Sequence, residues 1–315
     1  LPWTPESTCG RYRLIRPKAI ATLARALIVA LTVVFLASCA TAPGQISGSA
    51  FSALGDGALC YLVFPVREHQ GLARRIGGEG EENLARAIDR TDRLWAGLYP
   101  ASGSAEANNS IRLVASGSYP KSARSLVFPS SKGWVPALES AHGPWYFRGS
   151  EGGSIPRSGL YVQASVQDLP SILERLGEGT GDLSYHPPEL DEAVRTNSRD
   201  PRLILWAPDP VALFSPLLQG IPLLNLSAPA RDLIVFAQRD ATTSDRYNLS
   251  ARFETTDAKN ARAFSALFRL AIKSFFRTTE GITEGTITSE GTFIRMEGYS
   301  LSDESLADLI RFFYF

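Results

Sequence analysis

Two periods run through this chain. Ile111, Leu113 and Ala115 alternate with more polar neighbours, and Leu249, Ala251 and Phe253 do the same. Period-two alternation marks a strand with one covered face. Tyr61-Leu62-Val63-Phe64-Pro65 and Leu203-Ile204-Leu205-Trp206-Ala207 are short apolar runs of the kind that form buried strands. From 257 to 277 the step changes. Ala261, Phe264, Phe268, Ala271 and Phe275 recur at intervals of three and four, which is one helical face, and Asp257 is placed to cap its start. Leu306, Leu309, Ile310 and Phe313 repeat the helical pattern over 302–313, and another helix is predicted over 167–176.

These elements occur twice in the same order. The run at 61–65 matches that at 203–207. Asp92-Arg93-Leu94-Trp95-Ala96 matches Arg231-Asp232-Leu233-Ile234-Val235, and Lys121-Ser122-Ala123-Arg124 matches Lys259-Asn260-Ala261-Arg262. Two further strand-like runs close each half, Pro144–Arg148 with Gly159–Ser165, and Gly285–Thr288 with Thr292–Glu297. The offset between partners falls from 142 to 139 to 138 residues, as small loop deletions would produce. The expected fold is α+β: an internally duplicated β-α-α-β-β-α-β-β-α unit, its mainly antiparallel sheet covered by helices in α/β/α layers. Repeat unit 1 spans 60–176, a Gly-, Pro- and acid-rich linker 177–201, and repeat unit 2 202–315.

Ahead of the repeats lies a different kind of segment. Arg11, Arg13, Arg16, Lys18 and Arg25 lead into the apolar run Ala26–Leu36, which ends Leu36-Ala37-Ser38-Cys39. A charged leader and a short apolar run read as a secretory signal over 1–38. The ending resembles a bacterial lipobox, in which Cys39 receives fatty acyl chains such as palmitate. Residues 39–59 then read as a lipidated flexible tether. Cys60, opening an apolar strand, is expected to pack as a small buried hydrophobe.

The totals of 32 basic and 32 acidic side chains conceal a split. Setting aside the five basic residues and Glu6 before Cys39 leaves 27 basic against 31 acidic. No basic excess of the kind that marks a nucleic-acid partner is present. His69, His142 and His186 are isolated from one another, so no metal or cofactor site is expected, and no nucleophile motif supports an enzyme.

Charge matters more locally. Between Asp257 and Glu280 there is no acid, while Lys259, Arg262, Arg269, Lys273 and Arg277 gather on one sector of the helix. A cationic sector beside an aromatic face is the pattern of a helix lying in a lipid interface. The expected membrane-contact residues are therefore Lys259, Arg262, Phe264, Phe268, Arg269, Lys273, Phe275 and Phe276. To these is added the uncharged Pro-broken run after Asp209, with Leu213, Phe214, Leu217 and Leu218. The first half has a shorter counterpart: no acid lies between Glu106 and Glu139, while Arg112, Lys121, Arg124 and Lys132 do.

The lipobox at Cys39, the mature length and the amphipathic stretches at 209–226, 257–277 and 302–313 together resemble a spirochaetal family, the concealed treponemal outer-membrane-associated lipoproteins. The resemblance implies an α/β/α fold, a periplasmic location with an N-terminal lipid anchor in the outer membrane, and helices that insert into its inner leaflet and alter permeability. The partner so implied is membrane lipid. Two other roles fit the same residues: a carrier holding lipid or a small apolar ligand in a cavity lined by 209–226, and a non-enzymatic scaffold that binds a periplasmic protein.

Overall fold

A computed structural model describes residues 50–77, 82–100, 109–137, 143–178, 186–190, 201–213, 230–243, 245–277 and 283–314. Twelve strands form one sheet: β1 (Cys60–Phe64), β2 (Thr91–Tyr99), β3 (Ser110–Gly117), β4 (Val135–Pro136), β5 (Trp145–Arg148), β6 (Glu151–Ser154), β7 (Leu160–Ser165), β8 (Leu203–Ala207), β9 (Ala230–Arg239), β10 (Arg246–Thr255), β11 (Thr286–Glu290) and β12 (Phe293–Ser302). Their spatial order is β11-β12-β10-β9-β8-β1-β2-β3-β7-β6-β5-β4. Every strand pair is antiparallel. The early and late parts of the chain meet at the β1–β8 pair, with Tyr61 opposite Trp206 and Leu62 opposite Leu205. Outward from that pair the order is β2, β3, β7 on one side and β9, β10, β12 on the other.

Side-chain parity sorts the core into two faces. On the first, Tyr61 and Val63 of β1 join Trp95, Val114, Val162, Trp206 and Ile234. Two helices cover them, α1 (Ala50–Leu54) and α5 (Leu169–Glu178). On the second, Cys60, Leu62 and Phe64 of β1 join Leu249, Phe253, Ile294 and Met296. Their cover is α2 (Gln70–Gly77), α6 (Ala258–Arg277) and α7 (Asp303–Tyr314), contributing Leu72, Ala261, Leu306 and Ile310. Between α2 and β2 runs α3 (Glu82–Arg90), whose Ile88 packs on this second core. The expected layering is thus observed over the described residues, and β1, covered on both sides, is buried along its whole length.

A third, smaller core sits at the β4 end. Phe128 stacks on Tyr146 and Tyr161 and meets Trp134 edge-on, at ring separations of 4.9, 6.2 and 5.0 Å. It follows a single helical turn, α4 (Arg124–Val127). Gly153 forms the floor: a Cβ there would lie 2.4 Å from the Phe128 ring.

Two expectations change. The tether read over 39–59 does not extend through α1. Ala50, Phe51, Ala53 and Leu54 are almost wholly buried, since an Ala/Phe/Leu turn gains more from covering the sheet than from staying solvated. The strand flanking β7, which the pairing with Gly285–Thr288 assigned to Pro144–Arg148, is Glu151–Ser154 instead; residues 145–148 lie one strand further out. Within the join read over 177–201, Leu190 is fully buried among first-face residues. The strand at Cys60 and the helices near 167–176, 257–277 and 302–313 form as the periodicity predicts, to within two residues.

Candidate membrane interface

The helix α6 begins where a cap residue permits. Asp257 accepts hydrogen bonds from the backbone N–H of Asn260 at 2.8 Å and from its Nδ2 at 2.6 Å, satisfying an otherwise open helix start. The face at Ala261, Phe264, Ser265 and Phe268 then turns to the sheet. Ala261 and Ser265 are buried, and Phe264 and Phe268 half-buried. Both phenylalanines stack on Phe253 of β10, at 5.6 and 6.4 Å. These two side chains therefore belong to the second core in this state rather than presenting themselves to a bilayer. Lys259, Arg262 and Arg269 lie on the outward sector and are exposed. Arg269 also donates to the carbonyl of Ile287, tying the helix to β11. The backbone at Lys273, Phe275 and Phe276 continues the helix, but their side chains lie outside the described residues.

The second expected contact begins in the same way. Asp209 accepts from the N–H of Ala212 at 3.0 Å and starts a helical turn over 210–213. Leu213 is buried in the second core. Phe214, Leu217 and Leu218 lie outside the described residues, as does Cys39. Among the described residues no helix is long and apolar enough to cross a membrane.

Near the junction of the two halves, the second face holds a buried polar relay. His69 sits 2.9 Å from the Tyr247 hydroxyl through Nδ1 and 2.5 Å from the Pro201 carbonyl through Nε2. A neutral imidazole satisfies both: Nε2–H donates to Pro201 and Nδ1 accepts from Tyr247, which in turn accepts from Arg239 at 3.3 Å. Burial and the Arg239 charge depress the His69 pKa, while the Pro201 carbonyl, Glu68 and Asp303 act the other way. The relay links the start of α2, the entry to β8, β10 and, through Arg239 and Asp303 at 3.9 Å, the start of α7.

On the first face Asp232 is 1% exposed and its oxygens accept no hydrogen bond; the Arg252 guanidinium is 3.6 Å away and is also held by Glu189. Burial lifts the Asp232 carboxyl to about 6 despite Arg252, with Glu254 and Glu189 adding to the rise. Both clusters are ion-pair and hydrogen-bond networks that join elements. Sequence patterning could not find them, because their members are scattered from 68 to 303 and meet only when the sheet closes.

The carbonyls that end α1 form a further clamp. Leu54 and Gly55 accept from Tyr99 at 2.7 and 2.8 Å, Gly55 from Tyr61 at 2.7 Å, and Leu54 from Arg112 at 2.9 Å. Arg112 also pairs with Asp168 at 2.9 Å. The end of α1 is thereby fixed to the first face.

A family model described as "Outer membrane-associated lipoprotein TP0453" matches residues 46–306. Outer membrane protein TP0453 of Treponema pallidum (strain Nichols) is 26% identical over 194 residues, 59% of this chain and 64% of that protein, so the match spans less than two thirds of the relative's length. Two solved structures of TP0453, crystal forms III and I, are similar at TM-scores of 0.64 and identities of 22% and 23%. They cover 83% and 86% of this chain and 97% and 100% of their own, and the likeness is one of fold.

Proposed function

We propose a role from one premise: the chain belongs to the TP0453 family of outer membrane-associated lipoproteins. It acts without catalysis, as a periplasmic protein held by lipid on Cys39 that lays the basic sector of α6 on the inner leaflet of the outer membrane. The observation that carries this is the outward, acid-free row Lys259, Arg262 and Arg269 on a capped helix. Each basic residue near an anionic surface adds about 1 kcal/mol of attraction. Headgroup contact needs no rearrangement. Insertion of Phe264 and Phe268 needs α6 to lift from Phe253, so it is a second step that follows adsorption, and any change in permeability belongs to that step.

Ten residues lie between Cys39 and Ala50, so an anchor on Cys39 is at most about 38 Å from the start of α1. The matched strand order outward from β1 and β8 supports reading the halves as copies of one unit, with α4 and α6 as counterpart covers.

Vesicle co-sedimentation of the chain from Ala40 onward tests the reading. Binding to vesicles containing phosphatidylglycerol is expected at low salt, weakening several-fold at high salt, with Lys259→Glu/Arg262→Glu lowering affinity about tenfold or more. A chain that stays in the supernatant at low salt, or a double variant that binds unchanged, overturns it.

A further inference from the structure

We infer that the α4–β4 tip is a second bilayer-contact point, acting on the same side of the sheet as the outer sector of α6. The inference rests on the membrane reading above and extends it to residues at the far end of the molecule. Among the described residues, Leu126, Val127 and Val135 stand out as large apolar side chains left to water, at 80%, 37% and 47% exposure. They do not sit on separate loops. Leu126 and Val127 lead directly into Phe128, whose ring meets Trp134; Val135, opposite Phe147 and through it Gly152 and Ala164, points to the first face, so the second-face projection is Leu126 and Val127. Phe128 is seated on Gly153 and stacked on Tyr146 and Tyr161, so the tip is an apolar projection held by a packed aromatic root.

The stretch of chain that builds it is basic. No acid occurs between Glu106 and Glu139, while Lys121 and Lys132 are exposed. Arg148 lies over the Trp134 ring at 5.1 Å and is balanced by Glu151. Arg124 donates inward to the Ile155 carbonyl and braces the turn. Apolar side chains projecting beside exposed lysines match a bilayer with anionic headgroups.

Leu113 and Ala115 lie opposite Ala96 and Leu94 of the second core, so the aromatic root covers the second face, the face that α6 covers near β10 to β12. Seven strand steps separate β10 from β6, and the twist they accumulate makes the tip a contact of its own rather than an extension of the α6 surface. A second copy adding a strand at β4 is a poorer fit, because β4 is two residues long and one of them is Pro136, which lacks an N–H.

The test places the photoreactive residue p-benzoylphenylalanine at Leu126, at Arg262 or, on the opposite sheet face, at the exposed Asn248. Each full-length chain is reconstituted with vesicles of phosphatidylcholine and phosphatidylglycerol and irradiated. The Leu126 site is expected to give lipid adducts about tenfold above the Asn248 site, falling several-fold without phosphatidylglycerol. Adducts at Leu126 no higher than at Asn248, chain-to-chain adducts in their place, or a yield indifferent to phosphatidylglycerol overturns the proposal. Lipid adducts at Arg262 but not at Leu126 refute the tip and leave the α6 reading standing; the reverse refutes α6 as the contact.

Discussion

The covers on the two faces of the sheet are held in different ways. On the first face, α5 inserts Leu169, Ile172 and Leu173 with 0–1% exposure, and α1 inserts Phe51 and Leu54 completely. The α1 end is further clamped by Tyr61, Tyr99 and Arg112. On the second face, the described part of α6 buries two small side chains, Ala261 and Ser265, and leaves Phe264 and Phe268 half-covered on Phe253. Its outward sector is cationic where an ordinary surface helix would mix both signs. The first cover is core in the strict sense. The described part of the second meets the sheet through small and half-buried side chains, the kind of contact that local opening exchanges most readily.

The largest expected effect separates the two covers by stability. Leu173→Ala removes a side chain at 1% exposure and leaves a cavity, so a global loss of about 2–5 kcal/mol is expected in denaturant unfolding. Phe268→Ala removes a half-buried ring and is expected to cost about 1–2 kcal/mol. Its signature is different: hydrogen exchange should accelerate across 258–277 while β1, β2 and α5 stay protected, and vesicle binding should survive. If Phe268→Ala unfolds the whole protein as Leu173→Ala does, α6 is core and cannot lift, and the insertion step falls with it.

The limit of the first cover can be probed at Asp232, where the apolar face gives way to charge. Its carboxyl is raised from 3.8 to about 6, chiefly by burial, so the fold favours the protonated form. The resulting penalty is full above pH 6, shrinks as pH falls from about 6 towards 3.8, and is absent below that. Asp232→Asn removes the charge and leaves Arg252 held by Glu189. A gain of about 1–2 kcal/mol at pH 7.5 is expected, disappearing near pH 4. Destabilisation at pH 7.5 would mean that the Arg252 pair outweighs the burial cost.

How much of this contrast was legible before folding depends on the residue. The second cover was readable because α6 carries its own signal: Asp257, the three-four spacing and the missing acids all lie within one segment. The first was half hidden. Ala50–Leu54 looks like tether because its neighbours are Gly and Ser, and only the sheet supplies its partners. Strand β6, Glu-Gly-Gly-Ser, has almost no strand propensity, yet its glycines are needed where Phe128 and Leu169 approach the backbone. Phe264 and Phe268 were readable as an apolar face, but not which surface they would meet: periodicity names a face and leaves its partner open. The tip was visible as an acid-free stretch, while its projection past Phe128 depends on tertiary stacking.

The smallest expected effect concerns the joint on the second face. His69 is held neutral between Tyr247 and Pro201, its pKa depressed by burial and Arg239. Adding a proton places an N–H at Nδ1 against a hydroxyl that already accepts from Arg239, so that hydroxyl must turn its own hydrogen away from the imidazole. The sign follows. The unfolded chain takes up this proton near pH 6.5 and the folded chain only at lower pH, so the stability held above pH 6.5 erodes as pH falls below it. Asp232 shifts in the opposite sense over part of the same window, so a single pH profile mixes the two. The informative measurement is the difference between the parent and His69→Gln, each carrying Asp232→Asn, from pH 7.5 to 5. The parent should lose stability on acidification and His69→Gln should be flatter, with exchange rising first in α2 and α7, the helices the relay fastens. Equal slopes would show that His69 takes its proton as readily in the fold as out of it, and that the second cover has no acid-sensitive joint.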